Sequence, residues 1–324
     1  MTQFKTLAEV IKFYESEDRC RDLIEKNRWP DGNIICPKCK GEKSYRMSDM
    51  RHYKCRDKKC GNKFSITKGT VFEGTKLPLS KWFVAMYLVT AHKKGISSHQ
   101  LARDLGIGQK ASWFMLCRIR EILRSKSFEM LDNIVEVDET YVGGRLDAMN
   151  RTRRKKWQDA GRDNKTAVMG MLERDGKARM KVIGASSFKG MVRENVDENA
   201  MIVTDAHLGY KGLAYEFVGH AVVDHSKQQF KDGIFYTNSV EGAFSHFKRM
   251  LIGTYHSVSP KHLHRYCSEF EHRWNNRKIK DVDRFSNALK QTEGRLKWKD
   301  LVGNKPPYNT PKNYTGIEFI DGEE

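Results

Sequence analysis

The chain is organised around the stretch Ile134-Val-Glu-Val-Asp138-Glu-Thr-Tyr-Val-Gly-Gly144. Its valines alternate with Glu136 and Asp138, which is the period-two pattern of a β-strand with one buried face. The strand would therefore carry the Asp138 carboxylate on rigid backbone. Taken alone, an aspartate in such a position is more often a solvated strand residue or a turn cap than a catalytic group.

Two later carboxylates change that interpretation. Asp205 ends a second apolar run, residues 200–205, so we expect it at the carboxyl end of a strand, where sheet proteins commonly place site residues. Glu241 lies near the start of an amphipathic helical pattern at residues 237–251. Two strand aspartates and a glutamate at a helix start can hold two divalent ions roughly 3.5 to 4 Å apart for phosphoryl transfer.

The position of Glu241 also has a purely structural explanation. Asn238 and Glu241 have the spacing of a capping box, in which a glutamate closes the N-terminus of its own helix. The sequence therefore leaves the metal-ligand and the capping interpretations of Glu241 both open.

Length and hydropathy indicate a soluble protein of several parts. The 324 residues are enough for two or three domains with separate cores, and the mean hydropathy is −0.69. The longest apolar run, residues 82–91, is too short to span a membrane. Residues 1–5 lack the pattern of a signal peptide. We therefore expect a cytoplasmic protein without a membrane partner.

The chain is strongly basic, with 59 Lys and Arg against 41 Asp and Glu and a formal net charge of +18. The excess is concentrated in residues 36–68, which hold 11 basic and 3 acidic residues, and in residues 145–165, which hold 8 and 3. Solvated faces would spread the charge more evenly. Such clusters favour a polyanionic partner, here nucleic acid, although charge alone leaves DNA and RNA open.

Four of the seven cysteines have the spacing of two metal-binding knuckles. These are Cys36-Pro-Lys-Cys39 and, after 15 residues, Cys55-Arg-Asp-Lys-Lys-Cys60. Four thiolates form a closed tetrahedral zinc site, which a module this small needs because it cannot bury enough apolar surface. We predict a zinc ribbon in which Cys36, Cys39, Cys55 and Cys60 bind a structural Zn²⁺. An iron–sulfur site and a chance spacing are the alternatives.

Residues 79–123 have the pattern of a long helix-turn-helix. Ser80 is placed to cap the first helix, Ser97 and Gln100 form a capping box for the second, and Gly106 supplies the turn. The third helix would enter the major groove and present residues at its amino end to base edges. Those residues are Gln109, Lys110 and Ser112. The alternative is a three-helix packing module.

The elements after residue 130 follow the ribonuclease-H-like order. The Asp138 strand is followed by strand patterns at residues 166–172 and 178–183, a weak helix at 188–197, and strands at 200–205 and 219–225. That topology brings the middle of the first strand, the end of the fourth and the start of the closing helix together. The basic segment at residues 145–165, between the first two strands, includes Arg153 and Arg154. We interpret it as part of a DNA-contacting loop, and the alternative is a solvated loop without a partner.

Several blocks of sequence carry a family resemblance. They are Trp29-Pro-Asp-Gly32, the Cys36 ribbon, Val137-Asp-Glu-Thr-Tyr-Val-Gly-Gly144, Thr204-Asp205, Thr237-Asn-Ser-Val-Glu241-Gly242 and Tyr255-His-Ser-Val-Ser-Pro-Lys-His262. Together they resemble the ISXO-type insertion-sequence transposases, relatives of the eukaryotic Merlin elements with a DDE catalytic core. The resemblance implies that Asp138, Asp205 and Glu241 bind Mg²⁺ or Mn²⁺, that Lys248 lies against DNA, and that His225 is a candidate residue beside the metal ligands. Some relatives carry Asn in place of the glutamate.

We therefore predict an α+β multi-domain protein. Its expected parts are N-terminal helices (1–30), a zinc ribbon (31–72), a helix-turn-helix DNA-binding domain (77–128), a ribonuclease-H-like α/β DDE catalytic domain (130–280), and a C-terminal helix with a flexible tail (281–324).

The expected function is that of a transposase. It would bind the terminal inverted repeats of an insertion sequence and catalyse metal-dependent cleavage and transfer of double-stranded DNA, at transposon ends and target, as a homodimer or larger assembly in the nucleoid. The alternative is a non-catalytic, transposase-derived DNA-binding regulator in which the carboxylates are structural.

Overall fold

The computed structural model describes residues 4, 6–124, 129–144, 149–152, 154–155, 165–184, 188–223 and 233–303. Of these, residues 6–123 and 278–302 belong to one compact unit, and residues 124–277 belong to a second. Within the described ranges, no helix combines the length and the apolar character needed to cross a bilayer.

The secondary structure mixes helices with two separate sheets. The described helices are α1 (Leu7–Tyr14), α2 (Glu17–Arg28), α3 (Leu79–Ala91), α4 (Ser98–Leu105), α5 (Gln109–Leu123), α6 (Phe188–Asn195), α7 (Asn238–Met250), α8 (Pro260–Asn275), α9 (Asp281–Leu289) and α10 (Trp298–Val302). The described strands are β1 (Ser44–Arg46), β2 (His52–Cys55), β3 (Lys63–Ser65), β4 (Ile134–Val142), β5 (Thr166–Glu173), β6 (Ala178–Val182), β7 (Met201–Asp205) and β8 (Gly219–Val223).

The first unit has a hydrophobic core to which α1 to α5, the β1-β2-β3 sheet and α9 all contribute. Phe285 of α9 shows how the later helix joins it, because its ring makes edge contacts with Tyr14 and Tyr87 at centroid distances of 5.7 Å each. The parts expected at 1–30, 31–72 and 77–128 therefore share one core here. Residues 281–302 of the predicted C-terminal segment belong to the same unit, and α9 packs in this core.

Helices α3 to α5 occupy the region predicted to be a helix-turn-helix. The Ser97 hydroxyl accepts a hydrogen bond from the Gln100 N–H at 3.1 Å, and Gly106 ends α4 in the left-handed region with φ 58°. The cap predicted at Ser80 is wrong, because α3 begins at Leu79 and the Ser80 N–H donates to the Glu17 carboxylate at 3.0 Å. A side chain from another helix caps α3 instead.

The prediction that Ser112 contacts base edges is also wrong. Ser112 is 0% exposed. It lies on the same face of α5 as Met115, Leu116 and Ile119, which follow at the i+3, i+4 and i+7 positions and are all buried. A side chain on that face points into the protein and cannot reach a groove.

The second unit contains a five-stranded sheet in the order β6-β5-β4-β7-β8. β4, β5 and β6 are paired antiparallel, whereas β7 pairs parallel to both β4 and β8. The predicted three-stranded meander and two later strands are thus present, with β4 at the centre. Helix α6 connects β6 to β7, and α7 follows β8.

The sheet is covered on both faces. Val135 and Val137 of β4 pack in a core that includes α6, and Val168 and Leu172 of β5 pack in a core that includes α7 and α8. Because β-strand side chains alternate, Glu136 and Asp138 are directed to the face covered by α7.

Gly170 allows α7 to approach the sheet closely. A Cβ atom at this position would lie 2.5 Å from Cε1 and 2.7 Å from Cζ of Phe244, which is closer than a side chain can pack. Gly170 is also the cross-strand partner of Asp138. The close approach therefore occurs beside the strand position that carries this aspartate.

Helix α8 covers the outer edge of β6. The Asn275 side chain accepts a hydrogen bond from the Ala178 N–H at 2.7 Å and donates one to the Ala178 carbonyl at 3.1 Å. One helical turn earlier, the buried Glu271 carboxylate accepts from the Met180 N–H at 2.6 Å. Side chains of a helix thus satisfy backbone groups that an additional strand would otherwise bind.

Candidate metal centres

The four knuckle cysteines converge on one point. Cys36 and Cys39 lie in the turn before β1, Cys55 ends β2, and Cys60 lies in the following turn. The Sγ atoms of Cys36 and Cys60 are 3.8 Å apart, and those of Cys39 and Cys55 are 3.6 Å apart. A tetrahedron of thiolates about 2.3 Å from zinc has edges of about 3.8 Å. The donor set and its dimensions therefore fit a structural Zn²⁺.

The backbone of the first knuckle favours a thiolate. Burial raises the pKa of Cys36, but hydrogen bonds from the Cys39 and Lys38 N–H groups, together with one from Asn62, outweigh this effect and lower the pKa to about 6. A thiolate is the form that binds zinc. In the same cluster, burial and neighbouring thiols raise the pKa values of Cys55 and Cys60, so a thiolate forms most readily at the first knuckle.

The second candidate centre lies where β4 and β7 run side by side. Val137 pairs with Thr204, so the next residues, Asp138 and Asp205, are neighbours at the carboxyl end of this parallel pair. One carboxylate oxygen from each of these residues and one from Glu139 all lie within 4.8 Å of one another. Sheet register brings together residues that are far apart in the sequence.

This cluster concentrates negative charge in a partly buried position. Burial, followed by the charges of Glu139, Asp205 and Glu241, raises the pKa of Asp138 to about 7, although the Glu139 N–H donates to Asp138 Oδ1 at 2.8 Å and opposes the shift. Carboxylate oxygens are the ligands that Mg²⁺ prefers. A divalent cation would relieve the repulsion among them, so the donor set fits such an ion.

Glu139 is the member of this cluster that the sequence interpretation did not include. It follows Asp138 directly, and strand alternation would direct it to the opposite face. The buried Tyr210 hydroxyl donates a hydrogen bond to Glu139 Oε2 at 2.8 Å, which holds this carboxylate in place. The adjacency of two acids in the middle of a strand was the available signal.

Glu241 lies outside that group of three, although its charge contributes to the raised pKa of Asp138. The predicted capping box does not form. Asn238 is the first residue of α7, Thr237 is the N-cap residue, and the Ser239 and Val240 N–H groups donate to Glu136 at 2.9 and 3.1 Å. The Glu241 carboxylate accepts from the Thr237 hydroxyl at 3.3 Å.

The predicted DNA contacts fall at several places. Gln109 and Lys110 are exposed at the start of α5, where Gln109 donates to the Ser98 hydroxyl at 2.9 Å. Lys248 is exposed on α7, two turns after Glu241. Arg154 is half-buried in a helical turn. The other two residues singled out from the sequence, Arg153 and His225, lie outside the described residues.

Two family models match the parts of this chain that contain the candidate centres. Residues 130–275 match the ISXO2-like transposase domain, and residues 15–63 match the transposase zinc-ribbon domain. A protein of Halobacterium salinarum described as an uncharacterized protein in transposable element ISH50 is 28% identical over 280 residues, which cover 81% of this chain and 92% of the relative. The zinc-ribbon match covers Cys36, Cys39, Cys55 and Cys60, and the transposase-domain match covers the carboxylate cluster.

Proposed function

The chain belongs to the ISXO2-like transposases, and we propose that it binds the terminal inverted repeats of an insertion sequence and catalyses metal-dependent DNA strand cleavage and transfer. The observation that carries this proposal is the carboxylate cluster formed where the middle of β4 lies beside the carboxyl end of β7. A protein that only binds DNA has no need for three acids held within 4.8 Å of one another against their mutual repulsion.

The proposed catalytic ligands are Asp138, Asp205 and Glu241, with Glu139 as an additional candidate. Asp138 would contribute to both metal positions, sharing one with Asp205 and the other with Glu241. Mg²⁺ or Mn²⁺ bound there would activate the attacking oxygen and stabilise the leaving oxygen. Residues of β4, β7 and α7 would hold these ligands in fixed positions.

We propose a ribonuclease-H-like fold for the second unit and a helix-turn-helix for α3 to α5. The strand order β6-β5-β4-β7-β8, with β6 antiparallel to β5 and β7 parallel to β4, supports the first assignment. The left-handed turn at Gly106 and the exposed Gln109 and Lys110 support the second.

DNA binding would use the basic surface of several elements. The zinc ribbon and the start of α5 would read the transposon end, whereas Lys248, Arg153 and Arg154 would bind phosphates nearer the carboxylates. Because phosphate contacts release counterions, the affinity should fall steeply with salt. Bringing two transposon ends together requires at least a dimer on DNA, and such an assembly would act at the nucleoid.

The test is cleavage of a labelled duplex carrying a transposon end, with Mg²⁺ or Mn²⁺, alongside binding of the same duplex. We expect Asp138→Asn, Asp205→Asn and Glu241→Gln to bind the end normally and to lose most cleavage. Glu139→Gln measures whether the additional acid is also needed. Glu198→Gln, at an exposed acid of the same unit, is the matched control and should cleave like the wild type.

Two outcomes would contradict the proposal. Wild-type protein that binds the end but cleaves with neither ion would favour the DNA-binding regulator. Cleavage retained by Asp138→Asn would remove the carboxylate cluster from the reaction. A third outcome would revise only the ligand set. If Glu241→Gln keeps cleavage while both aspartate variants are inactive, the third metal ligand is a residue other than Glu241.

A further inference from the structure

Glu136 is a fully buried carboxylate that the proposed reaction does not use. It is 0% exposed and lies two residues before Asp138 on β4. Its Oε2 atom accepts hydrogen bonds from the Ser239 and Val240 N–H groups at 2.9 and 3.1 Å. The carboxylate therefore caps the first turn of α7, where an anion is also favoured by the helix dipole.

Arg174 balances the charge of this carboxylate. Its Nε and Nη2 atoms both donate to the same oxygen, Glu136 Oε1, at 3.2 and 3.1 Å, and hydrogen bonds between two ionised groups are stronger than neutral ones. A buried carboxylate without a partner would be costly. Arg174 compensates the buried charge at Oε1, and Oε2 therefore remains available to accept hydrogen bonds from the start of α7.

The same arginine also holds the segment that leads into α7. Its Nη1 atom donates to the Ile234 carbonyl at 2.8 Å, and its guanidinium lies 4.0 Å from the centre of the Tyr236 ring. The Arg174 N–H donates to the Ile134 carbonyl at 2.9 Å. Through its backbone and its side chain, Arg174 thus connects the start of β4 to residues just before the helix.

This arrangement connects two proposed metal ligands by a short route. Asp138 is two residues from Glu136 on the same face of β4, and Glu241 directly follows Val240, whose N–H binds Glu136. A shift of the helix start would have to break hydrogen bonds to a buried charge. The distance between Asp138 and Glu241 is therefore coupled to the Glu136 and Arg174 pair.

We infer that Glu136, held by Arg174, is a positioning residue that fixes Glu241 against Asp138 for metal binding. This inference rests on the proposed function. Glu136 itself binds no ion, and its carboxylate is used by the backbone of α7 and by Arg174. Groups that orient metal ligands typically contribute 10- to 100-fold to metal affinity.

The test makes two measurements on the full-length protein without DNA. Mn²⁺ binding is followed by the electron paramagnetic resonance signal of free Mn²⁺. Hydrogen exchange of residues 237–244 is followed by mass spectrometry. In Glu136→Gln we expect the Mn²⁺ affinity to fall about tenfold and exchange at the start of α7 to accelerate. The half-saturating Mn²⁺ concentration for cleavage should rise by a similar factor.

Glu271→Gln is the matched control. Glu271 is another buried carboxylate of the same unit that accepts a backbone N–H, but it connects α8 to β6. Its variant should keep Mn²⁺ affinity within about twofold, even where its unfolding temperature falls as much as that of Glu136→Gln. Equal losses of affinity in the two variants would overturn the inference, because they would reflect stability alone.

Arg174→Lys provides a second test where Glu136→Gln does not fold. Lysine keeps the positive charge but cannot make both the paired hydrogen bonds to Glu136 and the hydrogen bond to the Ile234 carbonyl. We therefore expect the Mn²⁺ affinity to fall about threefold. An unchanged affinity in either folded variant would overturn the inference. A different result would contradict the proposed function itself. It is that the wild-type protein shows no Mn²⁺ binding that is lost in Asp138→Asn.

Discussion

The thiolate and carboxylate centres solve the same problem, gathering anionic donors, in opposite ways. The thiolate centre draws four donors from 25 consecutive residues, with Sγ distances of 3.6 and 3.8 Å. The carboxylate centre draws its donors from β4 and β7, which pair in the sheet although 67 residues separate Asp138 from Asp205. Local turns form the first centre, whereas the tertiary fold forms the second.

This contrast shows what each centre requires of a metal. The ribbon shares the hydrophobic core of the first unit, but the turns that bring its four thiolates together are expected to depend on a bound ion. The carboxylates are held by a packed sheet that is stable enough to tolerate their repulsion. Zinc is therefore expected to be part of the folding of the first centre, and a divalent ion part of the chemistry of the second.

The largest effect is expected from breaking the thiolate centre. Cys39→Ser removes one of four donors, and because structural zinc contributes on the order of 10 kcal/mol to such modules, the ribbon should unfold and lose its metal. Zinc content by elemental analysis and proteolysis within residues 31–72 would measure this. Cys267→Ser, at a buried cysteine of the second unit, should retain full zinc. Full zinc content in Cys39→Ser would contradict the assignment of the four cysteines as the zinc ligands.

The next effect tests the repulsion in the carboxylate centre. The pKa of Asp138 is raised from 3.8 to about 7 in the folded protein, so the stability linked to this group is present below pH 4 and is lost as the pH rises through 7. The loss amounts to roughly 4 kcal/mol in total, of which roughly 3 kcal/mol falls between pH 5 and 8. Urea unfolding in divalent-free buffer between pH 5 and 8 would measure it.

Asp138→Asn is the control for this pH dependence. The variant cannot ionise, so its free energy of unfolding should change less between pH 5 and 8 and exceed that of the wild type at pH 8. Saturating Mn²⁺ should flatten the wild-type profile. Parallel profiles for the two proteins would mean that the acids do not repel one another as the comparison requires.

A smaller effect tests the dependence of the carboxylate centre on packing. Gly170→Ala places a Cβ atom 2.5 Å from Phe244 Cε1, so α7 must move or strain, at a cost of about 1 to 3 kcal/mol. Thermal melts should show lower stability, and cleavage should fall, while zinc content stays the same.

Gly242→Ala is the matched control on α7 itself. A Cβ atom at Gly242 meets nothing within 4 Å, and alanine is the better helix former, so this variant should gain about 0.5 to 1 kcal/mol. Destabilisation by both substitutions, or by neither, would contradict the role assigned to the close approach at Gly170.

The smallest effect concerns the hydrogen bond that holds Glu139. Tyr210→Phe removes the buried hydroxyl that donates to Glu139 Oε2, and we expect a loss of about 1 kcal/mol with unchanged zinc content. Urea unfolding measures the loss. Tyr215→Phe, at a tyrosine that is 94% exposed, should be silent. A silent Tyr210→Phe would mean that the Glu139 carboxylate is held by other groups.

The sequence was most informative where the signal was local. The strands ending at Val142 and Asp205 and the helix containing Glu241 follow from residue periodicity, and the knuckles follow from cysteine spacing. Each depends on neighbours within about ten residues. The structure confirms the elements and brings the four cysteines together.

The caps of α3 and α7 could not be predicted because their partners are distant in the sequence. A capping box at Asn238 and Glu241 is compatible with the local sequence, but Glu136 occupies the helix end from more than 100 residues away. Glu17 does the same for α3 through the Ser80 N–H. Spacing rules describe only competition among nearby groups, whereas a buried carboxylate from another element can displace the local cap.

The helix face explains the error at Ser112. A polar residue at the start of a predicted recognition helix suggested a DNA contact, but its i+3 and i+4 neighbours, Met115 and Leu116, already indicated a buried face. The return of α9 to the first unit is different in kind. No local pattern in residues 281–289 specifies which core they join.

The pairing of Asn275 and Glu271 with the backbone of β6 has a consequence for association. A strand from another molecule could extend the sheet at this edge only after α8, a helix of 16 residues, had detached. Several copies recruited onto DNA, as the proposed function requires, would reach a high local concentration, which is the condition under which exposed strand edges nucleate cross-β aggregates. Helix α8 would then slow such aggregation, because it must detach before β6 can pair with another strand.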